Sequence, residues 1–177
     1  MLCKARHFVP PDELRSIYFS IFSSHMVYGC QVWGQNINVH IEKIQKLQNR
    51  AMRIISFSNY QADSNPIYKI KKILKLKDYI SLQNCLFVHD YTNKNLPLCF
   101  NDYFHFVNEV HSKRTKNSEL GCIFVPHFTT IKYGINSITR RSIDSWNFFS
   151  KKINFKLKDI TRSVLRKNIT EYFIDLY

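Results

Sequence analysis

The sequence predicts a mainly α-helical protein with a small α+β carboxy-terminal part, a helical bundle followed by short strands and terminal helices. Three observations carry that prediction. Apolar residues recur at spacings of three and four from residue 14 through most of the first half of the chain. From about residue 96 that periodicity weakens, and β-branched and aromatic residues become commoner. Only four Gly and five Pro occur in 177 residues, which argues against Gly-rich phosphate loops and linker-rich architectures. The chain is therefore divided into a helical part, 1–95, and an α+β part, 96–177. It is long enough to bury a core. At 45% hydrophobic residues, including 14 Phe, 10 Tyr and 2 Trp, disorder is excluded, because there is ample apolar surface to offset ordering entropy.

The first helix is predicted to open at Pro11-Asp12-Glu13, where proline suits the first turn and the acids face the positive end of the dipole. Leu14, Ile17, Tyr18, Ile21, Phe22 and His25/Met26 continue it until Gly29 offers a stop. YGCQVWGQN is read as a connector with Trp33 anchored in the core. Asn38 can cap a second helix, HIEKIQKLQNRAMRIISF. In it Ile41, Ile44, Leu47, Gln48, Ala51, Ile54 and Ile55 fall within one arc of about 140°. Lys43, Lys46, Arg50 and Arg53 fall within a separate arc of about 80°. Asn65-Pro66 starts a third helix, continued through IYKIKKILKLK, where several lysines are expected to snorkel. LKDYISLQNCLFVHDYTN is a further helix with Tyr79, Leu82, Cys85, Leu86 and His89 on one side, broken at Asn95-Leu96-Pro97. Short strands are expected near 120–126 and 131–138. RRSIDSWNFFSKKI reads as a short helix anchored by Ile143, Trp146 and Phe149. A last helix follows Ile160, with Leu165, Ile169, Tyr172, Phe173 and Leu176 facing inward.

The formal charge of +13 is unevenly placed. Residues 43–77 hold nine basic groups against Asp63 alone, and residues 113–167 hold thirteen against three acids. The spacer 78–112 is slightly acidic. Two basic blocks of this kind point to a polyanion, against the plainer reading of lysine-rich faces that only aid solubility. The stripe Lys43, Lys46, Arg50 and Arg53 contains no intervening acid, so no i,i+4 pair neutralises it. It spans about 15 Å of helix axis and can follow backbone phosphates without reading bases. Four neutralised phosphates would give a log K against log salt slope of about −3.6 on duplex DNA.

No reaction is legible. Two-metal chemistry needs paired carboxylates, and neither Asp-Asp nor Asp-x-Asp occurs. Cys99, His105, His111, Cys122 and His127 could be imagined as zinc ligands, yet only Cys122/His127 has nearly suitable spacing. Ordinary buried thiols and surface imidazoles are the favoured reading. Cys3, Cys30 and Cys85 lack a readable base for a cysteine nucleophile. Five sparse cysteines exclude a disulfide framework and fit a reducing, intracellular compartment. No signal peptide or membrane span is expected.

One ordered constellation goes further. The segments HFVPPDELRSIYFSIFSSHMVYGCQVWG, IEKIQKLQNRAMRIISF and PIYKIKKILKLKDYISLQNCLFVHDY are followed by LPLCFNDYF, SELGCIFVPH, TIKYGINSITRRSIDSWN and TEYFIDLY. In that order they closely resemble the region after the catalytic palm in jockey-like non-long-terminal-repeat retrotransposon reverse transcriptases. The resemblance implies a thumb-like helical domain over 1–95, a carboxy-terminal segment over 96–177, and RNA or DNA backbone as partner. It also implies missing palm and fingers elsewhere in a parent enzyme that copies RNA into DNA using Mg2+. The family's Tyr/Phe-Ala-Asp-Asp metal motif lies upstream of this region, so no catalytic residue and no cofactor is carried over. Lys43, Lys46, Arg50 and Arg53 would face template–primer duplex. Lys69, Lys72, Arg114, Lys116, Arg140 and Arg141 are the further candidate contacts, drawn from the two basic blocks. Arg114-Thr115-Lys116 departs from the Asn-Thr-Arg of many relatives. A decayed transposon remnant without activity, or a helical protein-interaction module, is the alternative reading.

Overall fold

A computed structural model describes residues 2–35, 38–110, 112–113, 115–127, 134, 136–153 and 159–177, without the side chains of Asn38, Val39 and Ile153. It divides into two compact units, Met1–Tyr79 with Tyr172–Tyr177, and Ile80–Glu171.

In the first unit a short α1, Leu2–Ala5, precedes α2, Pro11–Ile17, whose Pro11 occupies the first turn with Asp12 and Glu13. The helical path continues as a π-helix, Tyr18–Ser23, and α3, Ser24–Val27. Gly29 ends the run in the left-handed region at φ 59°, which glycine adopts without Cβ strain. A short α4, Cys30–Trp33, follows. Trp33 is only half-buried, with its indole N–H donating to the Tyr28 carbonyl, so the expected core anchor is a local clasp.

The amphipathic pattern yields the expected helix as α5, Asn38–Ile55, with Asn38 inside the helix instead of capping it and Ser56 and Phe57 in the turn that follows. Its inner face joins a core of Leu14, Tyr18, Ala51, Met52, Ile55, Ile67, Tyr68 and Ile73. Helix α6, Asn65–Lys71, starts at the expected place; its N-cap residue Ser64 makes no side-chain cap bond, and the Asn65 N–H donates instead to Asp63 Oδ1. The predicted continuity through KKILKLK fails. Lys72 is left-handed at φ 52°, residues 73–75 belong to no helix, and α7, Leu76–Thr92, starts afresh. Burying Ile73 and Leu76 together sets that break, since both belong in the interior.

In the second unit α7 is buried on more than one side, through Ile80, Leu82, Asn84, Cys85, Leu86, Val88 and His89. Phe87 meets Phe100, Tyr103 and Phe104 edge-to-face, and the Tyr91 hydroxyl donates to the carbonyls of Asn101 and Phe104. A 3₁₀ turn at Leu98–Phe100, α8 at Val107–Val110 and α9 at Lys116–Glu119 follow. The anchored helix is α10, Ile138–Ile153, with Ile143, Trp146 and Phe149 buried as expected. Helix α11, Arg162–Asp175, buries Leu165, Ile169 and Phe173. Leu176, predicted to face inward, is 65% exposed.

The α+β carboxy-terminal part is overturned: among the described residues there is no strand. Residues 120–126 form one isolated antiparallel bridge, Phe106 to Ile123. The physical reason is visible in the hydrogen bonds. On one edge Val107 N donates to the Cys122 carbonyl and Phe124 N to the His105 carbonyl, and then α8 begins, so no ladder extends. On the other edge the Asn147 side chain accepts from Ile123 N at 2.8 Å and donates to its carbonyl at 2.9 Å. One side-chain amide thus supplies the pair of bonds that a neighbouring strand would have made. Of the strand expected at 131–138, residues 131–133 and 135 lie outside the described residues, and Ile138 opens α10.

Candidate nucleic-acid interface

The orientation of α5 is fixed from its inner side by a polar network. Gln48, buried within the otherwise apolar arc, donates to the Tyr18 hydroxyl and to the Leu74 carbonyl. Both Gln48 Oε1 and Gln45 Oε1 accept from the Leu76 N–H, and Gln45 also donates to the Tyr68 hydroxyl. Burial pushes the Tyr68 hydroxyl far above the ordinary tyrosine range, so it stays neutral inside this network. These bonds satisfy the backbone where α7 begins and hold the helix against rolling about its axis.

The opposite face then carries the cations. Lys43, Lys46 and Arg50 are exposed, and none has an acidic partner among the described residues. Arg53 differs. It is half-buried, and its Nε donates to the Ala62 carbonyl at 2.7 Å, tying down the 56–64 connection. Three of the four predicted stripe residues are therefore free to meet a ligand, while the fourth serves the fold. Glu42, just before the stripe, pairs with Lys77 at 3.7 Å, with both side chains more than half exposed.

The remaining candidates are placed individually. In the first unit Lys69 is exposed and donates to the Asp175 carbonyl at 3.4 Å, and Lys72 is exposed at the left-handed end of α6. In the second unit Lys116 is exposed at the start of α9. Arg140 pairs with Asp144 at 3.0 Å, and Arg141 donates to Asn136 Oδ1 at 3.1 Å. Arg114 lies outside the described residues.

The imagined zinc ligands do not come together. Cys99, His105 and His127 are exposed, Cys122 is buried, and His111 lies outside the described residues. Among the described residues no group of three His, Cys, Asp or Glu side chains could hold a metal ion. All five cysteines are free thiols, and burial holds Cys30 up at about 11. Among the described residues no helix is long and apolar enough to cross a membrane.

Two features escaped the sequence. An apolar groove of about 230 Å³ is lined by Ile17, Ile21, Phe22, Leu47, Ala51 and Ile54, and the stripe residue Arg50 lines it too. Leu47 sits in the arc expected to be buried but is 55% exposed at this groove. In the second unit Lys113 and Lys151 line a larger cavity. Their only sequence signal was membership of the second basic block.

The class to which comparison relates this chain is the transposon RNA-directed DNA polymerases. The particular relative is the "Probable RNA-directed DNA polymerase from transposon X-element" of Drosophila melanogaster, 30% identical over 66 residues. The match covers 37% of this chain and 7% of that relative, so the chain spans a small part of its length. No protein-family model matches the chain, and no solved structure does.

Proposed function

We propose that this chain is a thumb-like and carboxy-terminal segment of a jockey-like, non-long-terminal-repeat retrotransposon reverse transcriptase. Its task is to hold template–primer backbone, and the chemistry of polymerisation and any Mg2+ belong to palm and fingers outside these residues. The observation that carries the reading is the α5 face, where Lys43, Lys46 and Arg50 stand exposed, with no acid between them and none paired to them among the described residues. Such a row displaces counterions from phosphates and is indifferent to base sequence. The similarity to a transposon polymerase supports the relation to reverse transcriptases and carries nothing about backbone binding.

With Arg53 engaged by Ala62, three phosphates rather than four are neutralised from this helix, for a slope of about −2.7. That slope corresponds to roughly a 40-fold loss of affinity between 50 and 200 mM salt. The test is a salt series of duplex binding by fluorescence anisotropy with the 177-residue chain and with K43Q/K46Q/R50Q. The wild type should show the slope, and the triple variant should lose most of it. Salt-insensitive binding, or a variant indistinguishable from wild type, would sink the proposal.

A second reading, a protein-interaction module, is favoured by the apolar groove beside α5. It predicts that the triple variant keeps its full function in a pull-down while Leu47→Asp abolishes it.

A further inference from the structure

The second unit contains a cavity that neither basic helix face explains. It has a volume of about 790 Å³, within the range of small-molecule sites, and every residue lining it falls between Val107 and Lys151. Two lysines line it, Lys113 and Lys151, both exposed and without an acidic partner among the described residues. No carboxylate lines it among the described residues. Ser112 and Asn117 add side-chain hydrogen-bonding groups that no described partner uses. The floor is apolar: Ile123 is fully buried, Phe124 is half-buried, and Val125 turns 36% of its surface to solvent.

That floor is rigid, because the backbone beneath it is bonded on both edges, to residues 105 and 107 and to Asn147. Lys151 stands two residues before the end of α10. Burial raises the Cys122 thiol in the cavity wall, and the Lys151 charge partly offsets the rise. A ligand complementary to this arrangement carries an anionic group at one end, hydrogen-bonding edges in the middle and a flat apolar face at the other. Neither inorganic phosphate nor an apolar ring meets all three demands. A nucleoside phosphate does: its phosphate answers the two lysines, and its base lies on the apolar floor.

We propose that the cavity bounded by Lys113, Lys151, Asn117 and the Ile123–Val125 floor is a binding site for one nucleoside monophosphate unit. The α5 stripe can cover backbone alone, whereas this site would seat a whole nucleotide, and the two do not depend on each other.

The experiment is calorimetric titration of the full chain at low salt with each of the four ribonucleoside monophosphates, with adenosine and with inorganic phosphate. At least one nucleotide should bind, with adenosine and phosphate each at least tenfold weaker. K113Q/K151Q should weaken nucleotide binding at least tenfold, and both lysines are surface residues whose replacement leaves the core intact. Val125→Asp, which puts a charge into the apolar floor under the base, should do the same. The K43Q/K46Q/R50Q variant should bind nucleotide as wild type does, even if its duplex binding is lost, which separates this site from the α5 reading. The proposal is overturned by no nucleotide binding at millimolar concentration, by indifference to K113Q/K151Q, or by phosphate alone binding as tightly as nucleotide.

Discussion

Helices α5 and α10 resemble each other on paper and do different work. Each is long, 18 and 16 residues, and each sets an apolar face against a face carrying several cations. On α5 the outward cations are left alone: Lys43, Lys46 and Arg50 have no described acidic partner. On α10 the arginines are occupied, Arg140 by Asp144 and Arg141 by Asn136. The interior faces differ as well. Helix α10 props up a foreign backbone segment, with Trp146 donating to the Gly121 carbonyl and Asn147 bonding both groups of Ile123. Counting basic residues therefore overstates the charge available to a partner. What matters is how many cations the fold leaves unemployed.

The largest expected effect comes from breaking α10 as a prop. Trp146→Ala should cost about 3–5 kcal/mol, because it removes one of the largest fully buried side chains along with its bond to Gly121. Asn147→Leu should cost about 2 kcal/mol or more, leaving the N–H and carbonyl of the buried Ile123 unpaired. Urea unfolding measures both. A loss under about 1 kcal/mol in both variants would make α10 an ordinary surface helix and dissolve the contrast with α5.

The next effect sharpens the comparison within α5 itself. Arg50 and Arg53 are neighbours on one stripe by sequence, yet Arg50 is free and Arg53 is bonded to Ala62. Arg53→Gln should lower stability by about 1.5–3 kcal/mol, the usual worth of a hydrogen bond from a charged donor, with little change in salt slope. Arg50→Gln should do the reverse, flattening the slope by about 0.9 and changing stability by less than about 0.5 kcal/mol. If the two variants behave alike, the distinction between employed and unemployed cations fails.

The same contrast explains what could be read in the sequence. Helix α5 was legible because its apolar and basic residues follow the helical period without interruption, so both of its faces could be named in advance. The commitment of Arg53 was not, since its partner is a main-chain carbonyl, and carbonyls leave no trace in a sequence. The stretch 120–126 has strand-like composition, but composition cannot say whether its edges meet a strand or, as here, the amide of Asn147. Lys72 broke a predicted helix through a left-handed turn that no glycine marked. The cavity over Ile123–Val125 draws on residues up to 44 positions apart, from Val107 to Lys151, and only the fold brings them together.

The smallest effect concerns an acid rather than a base, and it has a sign. Asp78, in the first turn of α7, accepts a hydrogen bond from the Tyr177 hydroxyl, with Lys75 and Lys77 supplying positive charge nearby. Burial raises its carboxyl above the ordinary 3.8, and the Tyr177 bond and the two lysines offset only part of the rise. The folded chain therefore binds this proton more readily than the unfolded chain does. Stability from this site is complete below 3.8 and is lost as pH rises through the raised folded value. Asp78→Asn keeps an acceptor for Tyr177 and never ionises. Its advantage over wild type in thermal midpoint should be greatest near neutrality and shrink as pH falls toward 4. On α10 the exposed Arg140–Asp144 pair offers the control: Asp144→Asn should cost only about 0.3–0.5 kcal/mol. A gap between wild type and Asp78→Asn that widens on acidification would mean that Tyr177 and the lysines outweigh burial, making Asp78 one more acid held in check by cations.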